Sequence, residues 1–110
     1  MFLFQRLLVS IAVFFVFSSV FAHASPSSKL GSVDFPTSGS PEAQKFFLRG
    51  VAALHSFWYD EALKAFQEST KVDPNFVMGY WGEAMTHNKP LWEKQDAEAA
   101  KDALTKIKDI

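Results

Sequence analysis

The sequence contains no cysteine among its 110 residues. A disulfide framework is therefore excluded, as are metal sites built on thiolate ligands. An excess of basic residues is also lacking, since there are 11 Lys and Arg against 12 Asp and Glu. Nucleic-acid binding requires a basic surface, so we expect no nucleic-acid partner. The sequence also lacks a glycine-rich phosphate loop and a nucleophile elbow.

Histidine is scarce, and its three copies are His23, His55 and His87. Glu83 lies four residues before His87, so the two could share a metal on one helix face. The favoured interpretation is simpler, because the helix dipole alone suits a histidine in a last helical turn. His55 is interpreted as a polar group at the end of a helical hairpin. We therefore expect no catalytic residue, metal or cofactor, and predict that the chain is not an enzyme.

Residues 1–24 have the composition of a secretory signal peptide. Arg6 is their one charged residue, Leu7 to Val20 is almost wholly apolar, and Ala22 and Ala24 form a small-residue cleavage site. We predict cleavage after Ala24 and export to a periplasm or to the outside, with no membrane attachment afterwards. The alternative is an uncleaved membrane anchor, although the apolar run is shorter than the about 20 residues that a spanning helix needs.

Beyond the signal peptide, the pattern changes from a linker to helices. Residues 25–40 are rich in Ser, Gly and Pro and predict a flexible linker. Ser40 and Pro41 are typical of a helix start. Apolar residues then recur at helical spacing, and no segment alternates as a strand would. The sequence predicts an all-α domain over 41–110, with helices at 41–56, 59–71, 74–87 and 96–110, the third of them capped by Asp73.

Small residues are placed where the first two helices are expected to pack closely. Gly50 and Ala62 are predicted to meet at the crossing, with Phe46 and Phe66 filling the space beside it. A larger residue at Ala62 would push the helices apart and destabilise the fold by roughly 1–3 kcal/mol.

The segment 43–76 spans 34 residues, which is the period of the tetratricopeptide repeat, and it resembles that family. The matching positions are Gly50, Tyr59, Ala62, Phe66 and Pro74, and the most similar fragment is YDEALKAFQESTKVDP. A partial second repeat begins at Val77, with matches at Tyr80 and Ala84, and the similarity ends after His87. Three positions depart from the family, which usually has Gly, Leu and Ala where this chain has Phe57, Arg49 and Ser69. The fragments LHSFWYDEAL, MGYWGEAM and HNKPLW also resemble the N-terminal part of longer exported proteins with such repeats.

The resemblance implies antiparallel helical hairpins that form part of an α-solenoid and bind a protein or peptide ligand. We predict an exported protein-interaction module without catalysis, as part of a longer repeat array. The alternatives are the N-terminal helical segment of a larger exported enzyme and a small oligomeric structural protein. About three repeats are normally needed for stability, so we also expect the chain to be incomplete, to self-associate or to need a partner to fold.

Overall fold

The computed structural model describes residues 30–110, so the predicted signal peptide, its cleavage site at Ala22 and Ala24 and the first part of the linker lie outside the described residues. The described part is mostly helical, in agreement with the predicted all-α class. Its α-helices are α1 Pro41–His55, α2 Tyr59–Val72, α3 Val77–Thr86 and α4 Ala97–Thr105, and a 3-10 helix at Lys106–Asp109 follows α4. Each helix packs against the next, and α1 also packs against α3.

Helix α1 begins where the sequence predicts. The Ser40 hydroxyl accepts a hydrogen bond from the Ala43 N–H at 3.2 Å, and Pro41 takes the first helical position. Asp73, predicted to cap the third helix, instead accepts a hydrogen bond from the Ser40 N–H at 3.1 Å. This bond ties the start of α1 to the turn that follows α2.

Helix α3 begins at Val77 rather than at Pro74. The Phe76 N–H donates to the Asp73 carbonyl at 3.0 Å, which closes a turn with Pro74 in its second position. Proline is favoured there because its fixed φ suits such a turn as well as it suits the first residue of a helix. The sequence signal is the same in both cases, and the prediction of a helix from Pro74 is wrong.

The core between α1 and α2 is built on Phe47, whereas Phe46 was the predicted ring. Phe47 is fully buried, and its ring centroid lies 5.7 Å from that of Phe66 and 5.5 Å from that of Phe76. Phe46 is partly exposed. Neighbouring residues on a helix point about 100° apart, so only one of this pair can face α2. The fully buried ring on this face is thus that of Phe47, one residue after Phe46.

Phe66 lies between two glycines that leave room for its ring. A Cβ atom on Gly50 would come within 2.7 Å of the ring, and one on Gly82 within 2.3 Å. Carbon atoms normally pack at about 3.5–4.0 Å, so neither position accepts a side chain without movement. The closest approach at Gly50 is thus to Phe66 rather than to the predicted Ala62, which is fully buried nearby. Gly82 gives α3 the same clearance, and the sequence prediction missed it.

Residues 30–40, the described part of the predicted linker, have no regular secondary structure and lie against the helices. Leu30 and Val33 pack on the core, and the Phe35 ring lies 5.2 Å from that of Phe47. The Phe35 carbonyl also accepts a hydrogen bond from the Gln44 side chain at 2.7 Å. A few apolar residues spread through a Ser- and Gly-rich segment are enough to hold it on α1.

A short β-hairpin follows α3, where no strand was predicted. Strand β1, Asn88–Lys89, pairs antiparallel with strand β2, Lys94–Gln95, and a 3-10 turn at Pro90–Trp92 joins them. Strands of two residues are too short to show the alternation by which a strand is recognised in sequence.

Helix α4 begins as predicted and ends earlier than predicted. The Asp96 carboxylate accepts a hydrogen bond from the Ala99 N–H at 3.0 Å and caps the helix. The α-helix stops at Thr105, and the backbone tightens into the 3-10 helix instead of continuing to Ile110. Such tightening is frequent at helix C-termini.

Two of the departures from the repeat pattern have local explanations. The Arg49 guanidinium pairs with the Glu61 carboxylate at 2.8 Å, so this arginine bridges α1 and α2 where a leucine would pack. The buried Ser69 hydroxyl donates to the Phe66 carbonyl at 2.6 Å, which satisfies the polar group inside the hairpin.

Candidate functional site

The turn between α1 and α2 places a phenylalanine where glycine is the usual residue. The Phe57 N–H donates to the Leu54 carbonyl at 3.1 Å, and the Trp58 N–H donates to the Ala53 carbonyl at 2.9 Å. Together these bonds form the Schellman arrangement that ends many helices. The residue after the helix cap must then adopt a left-handed backbone, and Phe57 has a φ of 58°.

Phe57 combines a strained backbone with a half-exposed ring. A side chain in the left-handed region costs roughly 1–2 kcal/mol, because Cβ approaches the following carbonyl. The residue is nevertheless 52% exposed, so about half of its apolar surface stays in contact with solvent. Residues held in strained backbone conformations cluster at functional sites. The α1–α2 turn is therefore the centre of the candidate site.

The β-hairpin forms the wall that faces this turn. Trp92 meets Tyr59 edge to face, with ring centroids 5.8 Å apart and ring planes at 86°. The charge distribution of aromatic rings favours this geometry. Tyr59 is buried beneath the contact, whereas Trp92 is 52% and Trp58 46% exposed. Two segments far apart in the chain thus present their rings to the same space.

The space between these walls is an open cleft of about 270 Å³, which we call the aromatic cleft. It is lined by Phe57, Trp58, Tyr59, Asp60, Lys89, Trp92 and Lys94. No histidine, serine or cysteine is among the lining residues. The aromatic cleft thus combines four aromatic rings with one carboxylate and two ammonium groups.

Charged side chains at the rim leave the aromatic cleft with a positive excess. Lys89 Nζ lies 3.7 Å from Asp60 Oδ1 and 5.7 Å from the centroid of the Tyr59 ring. Lys94 adds a second cation, which forms no ion pair with any residue between 30 and 110. Two ammonium groups therefore face one carboxylate.

Among the predicted repeat-packing residues, Tyr59 alone lines the aromatic cleft. Gly50, Ala62 and Phe66 are buried in the core, as a packing role requires. Phe46, Tyr80 and Ala84 are only partly buried, and Pro74 is exposed in its turn. The buried small residues of α3 are Gly79 and Gly82. These two glycines, rather than Ala84, are the small residues that pack against the neighbouring helix α2.

The sequence carried two signals for the aromatic cleft that could have located it. One is Phe57 at a turn position typical of glycine, beside two further aromatic residues. The other is the interruption at residues 88–92, which brings Trp92 into a segment that does not match the repeat. Their juxtaposition is a tertiary feature that neither signal predicts by itself.

Away from the aromatic cleft, a polar cluster joins α2, α3 and the terminal 3-10 helix. The buried Glu83 carboxylate accepts hydrogen bonds from Lys106 Nζ at 3.2 Å and from Gln67 Nε2 at 3.3 Å. Glu83, considered above with His87 as a possible metal pair, thus has a lysine partner. Residues 30–110 contain no group of three or more His, Cys, Asp or Glu side chains placed to hold a metal ion.

Comparison with protein-family models, with curated proteins and with solved structures finds no match to this chain. Within residues 30–110, none of the helices combines the length and the apolar character needed to cross a membrane.

Proposed function

We propose that this chain is an exported protein-interaction module of tetratricopeptide type, and that the aromatic cleft binds a protein or peptide ligand. The observation that carries the proposal is the strained and half-exposed Phe57 beside the exposed rings of Trp58 and Trp92. Export rests on the signal-peptide pattern of residues 1–24, and the repeat type rests on the sequence resemblance.

The composition of the aromatic cleft supports a recognition role. Tryptophan and tyrosine are enriched among the residues that dominate binding energy at protein interfaces. Their rings bring a large contact area at a small cost in side-chain entropy. Lys89 and Asp60 at the rim would add orientation, because exposed charges contribute more to specificity and association rate than to affinity.

The helical framework supports the same role. Helices α1 and α2 are joined by a three-residue turn and hold Tyr59 on a fixed element, while the β-hairpin positions Trp92 against it. A binding surface on rigid elements loses little conformational entropy when a ligand binds. The aromatic cleft is therefore largely preformed.

A random-peptide display library selected on the full chain, as processed by the producing host, tests the proposal. We expect enriched peptides whose dissociation constants rise roughly 30-fold or more in Trp92→Ala, as for a central interface residue. Leu104→Ala is the matched control, because Leu104 is also an exposed apolar residue but lies outside the aromatic cleft. Failure to enrich any peptide, or equal binding by Trp92→Ala and the parent chain, would contradict the proposal.

A further inference from the structure

The aromatic cleft limits the kind of ligand that can enter it. Its volume of about 270 Å³ is below the about 300–1,000 Å³ of a pocket that encloses a drug-sized molecule. An α-helix with its side chains is about 10–12 Å wide and needs a long groove rather than a short cleft. A few side chains of an extended segment fit these dimensions better.

The lining combines four aromatic rings with the charged side chains of Asp60, Lys89 and Lys94. Trp58 and Trp92 are each about half exposed, so part of each indole ring can contact a ligand. An extended segment with ordinary peptide groups would bring N–H donors that need partners. Proline has no N–H, and proline-rich segments are preformed as polyproline II helices that dock on aromatic grooves. Proline rings are therefore the apolar groups that this lining suits best.

Of the charged side chains that line the aromatic cleft, Lys89 and Lys94 are cationic and Asp60 is anionic. Lys89 already stands 5.7 Å from the Tyr59 ring centroid, where a cationic ligand would otherwise bind, and a second cation would be repelled. Lys94 lies on the same rim and forms no ion pair with any residue of the described part of the chain. Carboxylates on the ligand would complement both ammonium groups.

We infer that the aromatic cleft binds an extended, proline-containing segment of a partner protein whose acidic side chains pair with Lys89 and Lys94. This inference rests on the proposed function and specifies its ligand. A proline ring stacks on the exposed indole faces, and a neighbouring Asp or Glu reaches the lysines at the rim.

Defined peptides test the inference by fluorescence anisotropy with the full chain at physiological ionic strength. The probe is a labelled ten-residue peptide of alternating Pro-Pro and Glu, with variants in which Glu becomes Lys or Pro becomes Ala. We expect the Lys variant to bind about fivefold or more weakly, since each exposed ion pair contributes up to about 1 kcal/mol. The Ala variant should also bind several-fold more weakly, because it loses the preformed conformation.

Reversing a charge on the chain and on the peptide provides a second control. It does not require that a variant with an altered aromatic residue still folds. Lys94→Glu should weaken the Glu peptide and strengthen the Lys peptide, whereas Lys101→Glu, on an exposed lysine of α4, should change neither. Equal binding of the Glu and Lys peptides would overturn the inference, as would tighter Trp92-dependent binding of a neutral hexasaccharide. If library peptides bind at Trp92 but none contains proline or acidic residues, the ligand class is wrong and the proposed function stands. If no peptide binds at all, both fail.

Discussion

The core and the aromatic cleft use the same kinds of residue in opposite ways. Phe47, Phe66 and Phe76 are buried in the core, with neighbouring ring centroids 5.5–5.7 Å apart. In the aromatic cleft, Phe57 lies in the α1–α2 turn and Trp92 in the 3-10 turn of the β-hairpin, and each is 52% exposed. Aromatic content alone therefore does not separate packing from recognition, and exposure after folding does.

Glycine shows the same contrast. Gly50 and Gly82 stand inside helices, where glycine is unfavourable by about 1 kcal/mol relative to alanine, and the packing of Phe66 offsets that loss. Phe57 stands at a left-handed position, where glycine would be free of strain. About half of its ring nevertheless stays exposed. A bound ligand that covers the exposed half would add further apolar burial.

The largest expected effect comes from removing the central core ring. Phe66→Ala should destabilise the fold by about 3–5 kcal/mol, because it empties a site enclosed by three helices. Phe57→Ala makes the same chemical change at a half-exposed ring and should cost far less. Urea unfolding followed by helical circular dichroism measures both. If both variants lost a similar amount of unfolding free energy, the core and the aromatic cleft would not differ in how much their rings contribute to stability.

The next effect concerns the clearance around Phe66. Gly82→Ala should destabilise by about 1–3 kcal/mol through overpacking, even though alanine favours a helix. Gly50→Ala should be milder, because its new Cβ would lie 2.7 Å from the ring instead of 2.3 Å. Combining Gly82→Ala with Phe66→Leu should recover part of the loss, which a double-mutant cycle measures. A stabilised Gly82→Ala variant would show that the ring can move aside.

A smaller effect should reveal the strain at the α1–α2 turn. Phe57→Gly and Phe57→Ala both remove the ring, but only glycine relieves the left-handed backbone. We expect the glycine variant to be more stable than the alanine variant by about 1 kcal/mol. Thermal and urea midpoints of the two variants provide the measurement. An alanine variant as stable as the glycine variant would mean that the turn changes conformation once the ring is absent.

The sequence predicted the helices of the first hairpin well, because their signals are local. The Ser40 cap and the apolar spacing of α2 each act within a few residues, and each has its predicted place in the structure. Whether Phe46 or Phe47 faces α2 depends on the rotation of α1 about its own axis. The spacing of apolar residues in the sequence defines that rotation only to within one residue. The start of α3 depended on whether Pro74 opens a helix or a turn.

The candidate site was not predicted from sequence because it depends on tertiary contact. Tyr59 was assigned to repeat packing, and its edge-to-face contact with Trp92 requires a β-hairpin whose strands have two residues each. Gly82 was missed for a related reason, since its neighbour across the interface is Phe66 of another helix. Local patterns predicted the elements, and the contacts between them define the aromatic cleft.

The smallest expected effect tests whether the rim of the aromatic cleft is open to solvent. Asp60 has a 94% exposed side chain, and its carboxylate pairs with Lys89 at 3.7 Å near the start of α2. Asp60→Asn should cost at most about 0.3–1 kcal/mol at low salt, from the ion pair and the helix dipole together. At 1 M salt the loss should vanish, because the Debye length falls to about 3 Å and exposed charges farther apart than this are largely screened.

Glu68→Gln is the matched control for this last measurement. Glu68 pairs with Lys71 at the same 3.7 Å, but it lies toward the other end of α2, where the dipole disfavours a carboxylate. Its loss at low salt should therefore be smaller than that of Asp60→Asn in urea unfolding. A loss in Asp60→Asn that persists at 1 M salt would place Asp60 in a desolvated environment. The aromatic cleft would then resemble the core more than the exposed surface that the recognition role requires.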